Sequence, residues 1–201
     1  MPTKTDVRGA KSDRGGIFNW NDGNAGVLVG AAAAGAALGI AANFGRKALM
    51  QMPSVTAGSW DQALAAEHKL VLALFDKLEA TDDSQTMMRQ HILAKIKAAL
   101  AKHAIEEEMV IYPALRQANE TDDADHLNDD HGYVKTYLYE LATMSAGDAS
   151  WLARARDFRA LLEKHMAEEE EQIFPRLKGK LSDDQNASLT TMMNKEGFAN
   201  A

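Results

Sequence analysis

An all-α fold, an up-down-up-down four-helix bundle flanked by an N-terminal Ala/Gly-rich helix and a short C-terminal helix, is predicted by three observations. The first is an internal repeat. His103-Ala-Ile-Glu-Glu107-Glu-Met-Val-Ile-Tyr112-Pro-Ala-Leu-Arg116 returns 62 residues later as His165-Met-Ala-Glu-Glu169-Glu-Glu-Gln-Ile-Phe174-Pro-Arg-Leu-Lys178. The second is a weaker repeat upstream of each copy: Glu67-His68-Lys-Leu-Val71 and Asp130-His131-Gly-Tyr-Val134. The third is that the midpoints between successive histidines fall in turn-like sequence: Thr81-Asp-Asp-Ser-Gln, Gln117-Ala-Asn-Glu-Thr-Asp-Asp and Ser145-Ala-Gly-Asp. Helices alternating in direction through those turns bring all four histidines to one level.

The elements follow in order. Residues 1–24 mix Lys, Arg, Asp, Gly and Asn without periodicity and read as a disordered tail. Residues 25–44 carry no charge and lead into Arg46-Lys47, so 25–47 read as an apolar helix. Its length would span a bilayer, but nine Ala and four Gly stand against only six larger apolar residues. Gly26, Gly30 and Ala34, like Ala31, Gly35 and Gly39, are spaced by four, as in small-residue helix contacts. Three readings fit the segment: a membrane helix, a helix pairing with another chain, or a helix lying on the bundle. The expected location is cytoplasmic, with membrane association or a protein partner through 25–44 as the alternative. The acids ahead of the segment argue against a cleaved signal peptide.

Residues 48–58, with Pro53 and Gly58, form a linker. The bundle spans 59–180. Ser59 is the expected N-cap of its first helix, whose stripe is Trp60, Leu64, His68, Val71, Phe75 and Leu78. The second helix opens near Ser84 with Met88, Ile92, Ile96, Ala99, His103, Glu107 and Val110, and Pro113 should kink or end it. Acids at 121–125 suit the start of the third, whose stripe is Leu127, His131, Val134, Leu138 and Leu141. Asp148 caps the fourth, with Trp151, Ala155, Phe158, Leu162, His165 and Glu169, and Pro175 bends it. Within 181–201, a short helix from Ser182 to about Asn194 packs Leu189, Met192 and Met193 on the bundle.

Each histidine and each i+4 glutamate takes an apolar residue's place in its stripe. A buried carboxylate costs several kcal/mol unless paired or metal-bound. No Lys or Arg occurs in those stripes. His68, His103, Glu107, His131, His165 and Glu169 are therefore read as metal ligands, with His103 above Glu107 and His165 above Glu169. Six N/O donors exceed one tetrahedral zinc, and the chain has no cysteine. Imidazole with carboxylate suits iron, manganese or zinc. The count favours two ions, and two bridging carboxylates with histidines at each end suggest a non-haem di-iron site in the bundle core. Glu106 and Glu168, at i+3, are alternative donors. Glu106, Glu108, Glu168, Glu170 and Glu171 read mainly as a solvated face, His91 as exposed, and the methionines as core filler.

His68, His103-x-x-x-Glu107, His131 and His165-x-x-x-Glu169, each His-x-x-x-Glu running into Tyr-Pro or Phe-Pro, resemble the hemerythrin-like HHE cation-binding domain over about residues 58–180. The resemblance implies an oxo- or hydroxo-bridged pair of iron ions that binds O2 or NO, or reports iron and redox state. The oxygen-carrying hemerythrins offer two third-helix histidines four apart and end their last motif in Asp. Here His126 and His131 are five apart, about 140° around a helix. The repeat selects His131, leaving His126 as a surface histidine or a fifth ligand.

The 201 residues, 46% of them hydrophobic, are enough for one ordinary core plus extensions. A net charge of −7 argues against nucleic acid as main partner. Absence of cysteine excludes disulfides and iron-sulfur chemistry. Three functions fit: binding or sensing of O2, NO or iron and redox state; a di-iron enzyme acting on peroxide or ferrous iron; and a metal-stabilised interaction protein, oligomeric or not. No second catalytic constellation accompanies the ligands, which favours the first.

Overall fold

The computed structural model describes Ala42, Asn43, Gly45, Lys47 and residues 56–200, and these are all-helical, without strands. The long helices are α1 (Trp60–Glu79), α2 (Thr86–Glu106), α4 (Thr121–Thr143) and α5 (Trp151–Glu168). Two shorter pieces, α3 (Tyr112–Gln117) and α6 (Phe174–Lys180), continue α2 and α5 through π-helical turns at Glu107–Ile111 and Glu169–Ile173. The last helix is α7 (Asp183–Asn200). Helix α1 packs on α2 and α5, α4 on α5 and α2, and α7 on α1, α2 and the first π turn.

The apolar stripes form two separate clusters. One contains Val71, Phe75, Leu78, Ile96, Leu100, Val134, Leu141, Phe158 and Leu162; the other contains Trp60, Leu64, Val110, Leu115, Leu127, Ile173, Phe174 and Leu177. Every one of the four stripe histidines stands between a residue of one cluster and a residue of the other: His68 between Leu64 and Val71, His103 between Leu100 and Val110, His131 between Leu127 and Val134, His165 between Leu162 and Ile173. A polar layer thus divides the core.

The π turns replace the expected kinks. Proline has no N–H, and in a regular α-helix its ring would collide with the carbonyl four residues back. One widened turn before each proline relieves this. The Tyr112 and Phe174 N–H groups donate to the carbonyls of Glu107 and Glu169, five residues earlier. Such turns are frequent at functional sites, and here each begins on a predicted ligand. Further on, Asn119 takes a left-handed φ of 62°, and the Glu120 N–H donates to Leu115 O at 2.9 Å, closing α3 with a Schellman turn.

Several local expectations are corrected. Ser59 holds the N-cap position of α1 but makes no side-chain cap. The Trp60 N–H donates to Thr190 Oγ1 instead, and its indole Nε1 to Asn186 Oδ1 at 2.9 Å, so α7 seals that end. Helix α7 runs well beyond Asn194, opened by reciprocal Ser182 and Gln185 hydrogen bonds. Met192 is exposed while Leu189 and Met193 are buried, and Met88 and Met87 are exposed rather than core. Asp148 accepts from the Ser150 N–H and hydroxyl just ahead of α5, as a turn rather than a cap on the helix itself. Among the described residues no helix is long and apolar enough to cross a membrane; 25–41 lie outside them, so the readings of the Ala/Gly-rich segment do too.

Arg89 ties the far end together. Fully buried, it donates to Thr81 Oγ1, Ala146 O and Asp83 Oδ1 and lies over the Trp151 ring, joining the α1–α2 and α4–α5 connections. Removing it strands these acceptors. Arg89→Leu is expected to lower unfolding free energy by about 3 kcal/mol, with metal content per folded chain unchanged in denaturant titration and metal analysis.

Candidate metal centre

All six predicted ligands are buried and meet in the polar layer. Two groups share the carboxylates: His68, His103, Glu107 and Glu169 in one, and Glu107, His131 and His165 in the other, with donor atoms of each group within 4.8 Å of one another. In the first, His68 Nε2 lies 3.1 Å from His103 Nε2 and 3.4 Å from Glu169 Oε2, and His103 Nε2 lies 3.3 Å from Glu107 Oε1. In the second, His131 Nε2 is 3.2 Å from Glu107 Oε2. His165 Nε2 is 3.3 Å from Glu169 Oε1. Each glutamate turns one oxygen to either side.

Behind every inward Nε2, the ring's Nδ1 meets a carboxylate of a neighbouring segment. His103 Nδ1 faces Glu67 at 3.1 Å, His131 Nδ1 faces Glu108 at 2.9 Å, His165 Nδ1 faces Asp130 at 3.3 Å, and His68 Nδ1 faces Glu170 at 2.7 Å. The four pairs close a ring around the bundle. A carboxylate that accepts from Nδ1–H leaves Nε2 with its lone pair directed inward, the tautomer a metal ligand needs. Glu108 and Glu170 are thus more than a solvated face. Sequence reading found the acid before His68 and before His131 but gave it no role; the Glu after each ligand glutamate carried no signal beyond the repeat itself.

The donors fit cations. Glu107 Oε1, His165 Nε2 and both Glu169 oxygens are buried without a hydrogen-bond partner, which costs about 1–3 kcal/mol per group and more when charged. Donors bonded to one ion at about 2.1 Å and at right angles lie about 3.0 Å apart, close to the separations above. His68 Nε2 and His103 Nε2 also lie 3.1 Å apart, a contact that a proton or a cation between the two nitrogens satisfies. The set has no sulfur, so oxygen- and nitrogen-seeking ions such as iron, manganese or zinc suit it.

Protonation shows how the metal-free centre compensates. Burial pushes Glu169 well above the ordinary carboxyl range, and the charge of Glu107 adds to this. Burial acts on Glu107 too but is outweighed by His103 and His131, which hold it well below that range. His103 and His131 are raised, because Glu107 with Glu67 or Glu108 overcomes their burial. Burial lowers His68 and His165.

The remaining candidates divide. Glu106 is fully buried yet pairs with Lys102 Nζ at 2.8 Å, and Lys102 also meets Glu67. No Lys or Arg shares the stripe faces, but Lys102, off the stripes, is buried beside them. Burial and the charge of Glu67 raise Glu106 to about 8. Burial would raise Glu67 as well, but His103 and Lys102 bring it down to about 2. Glu67, His103 and Glu106 form a third potential donor group, with the Lys102 ammonium already in contact with both carboxylates. In the second copy Lys164 and Glu168 are not buried. His126 is about half exposed, with Nε2 3.2 Å from Glu168 Oε2, and joins neither buried group; His91 is exposed. Unforeseen was Tyr112, whose hydroxyl lies 3.1 Å from His131 Nε2.

Two outcomes follow. Glu108→Ala and Glu170→Ala, both at partly exposed positions, are expected to weaken metal affinity about 10- to 100-fold with the helix content unchanged, while His126→Ala leaves affinity within about threefold; competition titration against a chelator measures both. Because the Glu169 carboxyl and the His103 and His131 imidazoles are all raised and a cation favours their deprotonated forms, affinity for a divalent ion is expected to rise with pH through and beyond the ordinary imidazole range of about 6.5, with proton release measurable in weakly buffered solution.

Comparison with known proteins agrees with the geometry. The family described as Hemerythrin HHE cation binding domain matches residues 61–177. A DNA nickase of Nostoc sp. is 27% identical over 144 residues, covering 69% of this chain and 40% of the relative. An uncharacterized hemerythrin-like protein of Schizosaccharomyces pombe is 24% identical over 132 residues, 64% of each chain. The chain thus spans less than two thirds of either relative's length, and no solved structure matches it. With two His-x-x-x-Glu copies converging on one buried layer and a family match that covers more than half of its length, this chain belongs to the hemerythrin HHE cation-binding domain family.

Proposed function

We propose that the chain is an up-down-up-down bundle whose layer of His68, His103, Glu107, His131, His165 and Glu169 holds two iron ions, and that it binds or senses O2, NO or the iron and redox state. The alternation of helix direction is supported by the order of the two apolar clusters, which reverses from each long helix to the next. A pair of iron ions supplies electrons and an open position to a diatomic ligand. The chain's part is to orient the imidazoles through Glu67, Glu108, Asp130 and Glu170, to share Glu107 and Glu169 between the two positions, and to keep bulk water out.

The observation that carries this reading is a small cavity against the ligands. It has a volume of about 20 Å³, room for a water-sized molecule, and is lined by His103, His131 and His165 on one side and Leu100, Val134, Leu162 and Met166 on the other. An apolar wall suits an uncharged diatomic better than an anion or an extended substrate. The nickase activity named for the Nostoc relative is not transferred: that protein is much longer, and a net charge of −7 repels a phosphate backbone.

Anaerobically reduced, iron-loaded protein is expected to change its visible spectrum on adding O2 or NO, and Leu162→Phe, which fills the cavity, to slow that change by about tenfold or more without reducing iron content. Rapid turnover of peroxide in place of ligand binding would favour the enzyme reading. An iron-loaded protein inert to all three would favour a structural metal.

A further inference from the structure

Tyr112 departs from the repeat in one atom. It is the first residue after the first π turn, its N–H held by the Glu107 carbonyl, and its ring is buried 5.5 Å from the His131 ring. The counterpart in the second copy is Phe174, whose ring stacks 6.5 Å from His68 and meets Trp60 edge-on. One end of the metal layer therefore carries a phenolic oxygen and the other a bare ring.

That oxygen stands among donors. Tyr112 Oη is 3.1 Å from His131 Nε2 and 3.4 Å from Glu107 Oε2, and those two atoms are 3.2 Å apart. The triangle has the edge lengths found among the other donors in the layer. His131 Nδ1 is engaged by Glu108, and the hydroxyl reaches His131 Nε2 as well as Glu107 Oε2, to which it donates. An ion at Nε2 and Oε2 uses both acceptors available to it. The phenolic oxygen is then left facing that ion with its own lone pairs.

We propose that Tyr112 is a further protein ligand, its oxygen completing the position built by His131, His165 and Glu107, so that the two metal positions are chemically unequal. This rests on the reading that ions occupy the layer. A cation bound at that position favours the deprotonated phenol. On loading, the O–H bond breaks, its proton leaves to solvent, and the oxygen's electron pair forms the bond to the metal. No change of oxidation state is involved.

The test compares full-length protein and Tyr112→Phe, each loaded with ferric iron and, separately, with zinc. The apo variant should fold, since Phe174 already occupies the equivalent position in the other copy; matching helical circular dichroism and melting checks this. Expected for the unmodified protein are a visible phenolate-to-iron charge-transfer band, tyrosine ring modes in resonance Raman, and one more proton released per chain than in the variant with either metal. Tyr112→Phe should lose band and modes while keeping its iron stoichiometry. Superimposable spectra and equal proton release, with both proteins metal-loaded, would overturn the assignment of Tyr112 alone. Failure of both proteins to take up either metal would overturn the metal reading, and this proposal with it.

Discussion

Two carboxylates sharing one buried layer are the constraint on which this structure turns. Glu107 and Glu169 are fully buried between apolar clusters, and most of their oxygens find no hydrogen-bond donor. Like charges so placed cannot both stay ionised without compensation. Burial and the charge of Glu107 push the Glu169 carboxyl well above its ordinary range, while His103 and His131 hold Glu107 well below it. Cations answer the same demand better, because each glutamate already directs one oxygen to either side. Stability and metal affinity are consequently one quantity seen from two directions.

The surroundings serve that layer. The π turns let Glu107 and Glu169 begin a widened coil just where a proline would otherwise break the helix. Helix α7 covers the end near Trp60 through Thr190 and Asn186, and Arg89 clamps two connections at the opposite end. Lys102 buries a positive charge behind His103, whereas the equivalent side of His165 opens through Asp130 toward the partly exposed His126 and Glu168. The two halves, close in sequence, thus differ in polarity around their ligands.

Much of this was legible in the chain. Apolar spacing of three and four, interrupted by His and Glu at matched heights, gave both the helices and the convergence of the six donors, because burial leaves a periodic mark. The turn sequences at 81–85, 117–123 and 145–148 marked the connections between the long helices. What escaped were features set by tertiary neighbours. Lys102 is an ordinary surface-type residue until Glu67 and Glu106 enclose it. Glu108 and Glu170 look solvated because their partners lie on other helices. A π turn leaves no periodicity in five residues, although proline six positions after a ligand glutamate is a usable sign of it. Ser59 was read as a cap from local preference, and a distant threonine took the role. Met88 fits its stripe by spacing yet lies beyond the end of the packed core.

The ring of acid and imidazole pairs has an evolutionary implication. Glu67 with His103 lies inside the first half of the repeat, and Asp130 with His165 inside the second. Glu108 with His131 and Glu170 with His68 cross from one half to the other. A helical hairpin of half this length would own two complete pairs only by associating with a twin, each lending its trailing glutamate to the other. Fusing such twins into one polypeptide keeps the circuit closed while freeing each half to diverge, as Tyr112 in one copy and Phe174 in the other illustrate.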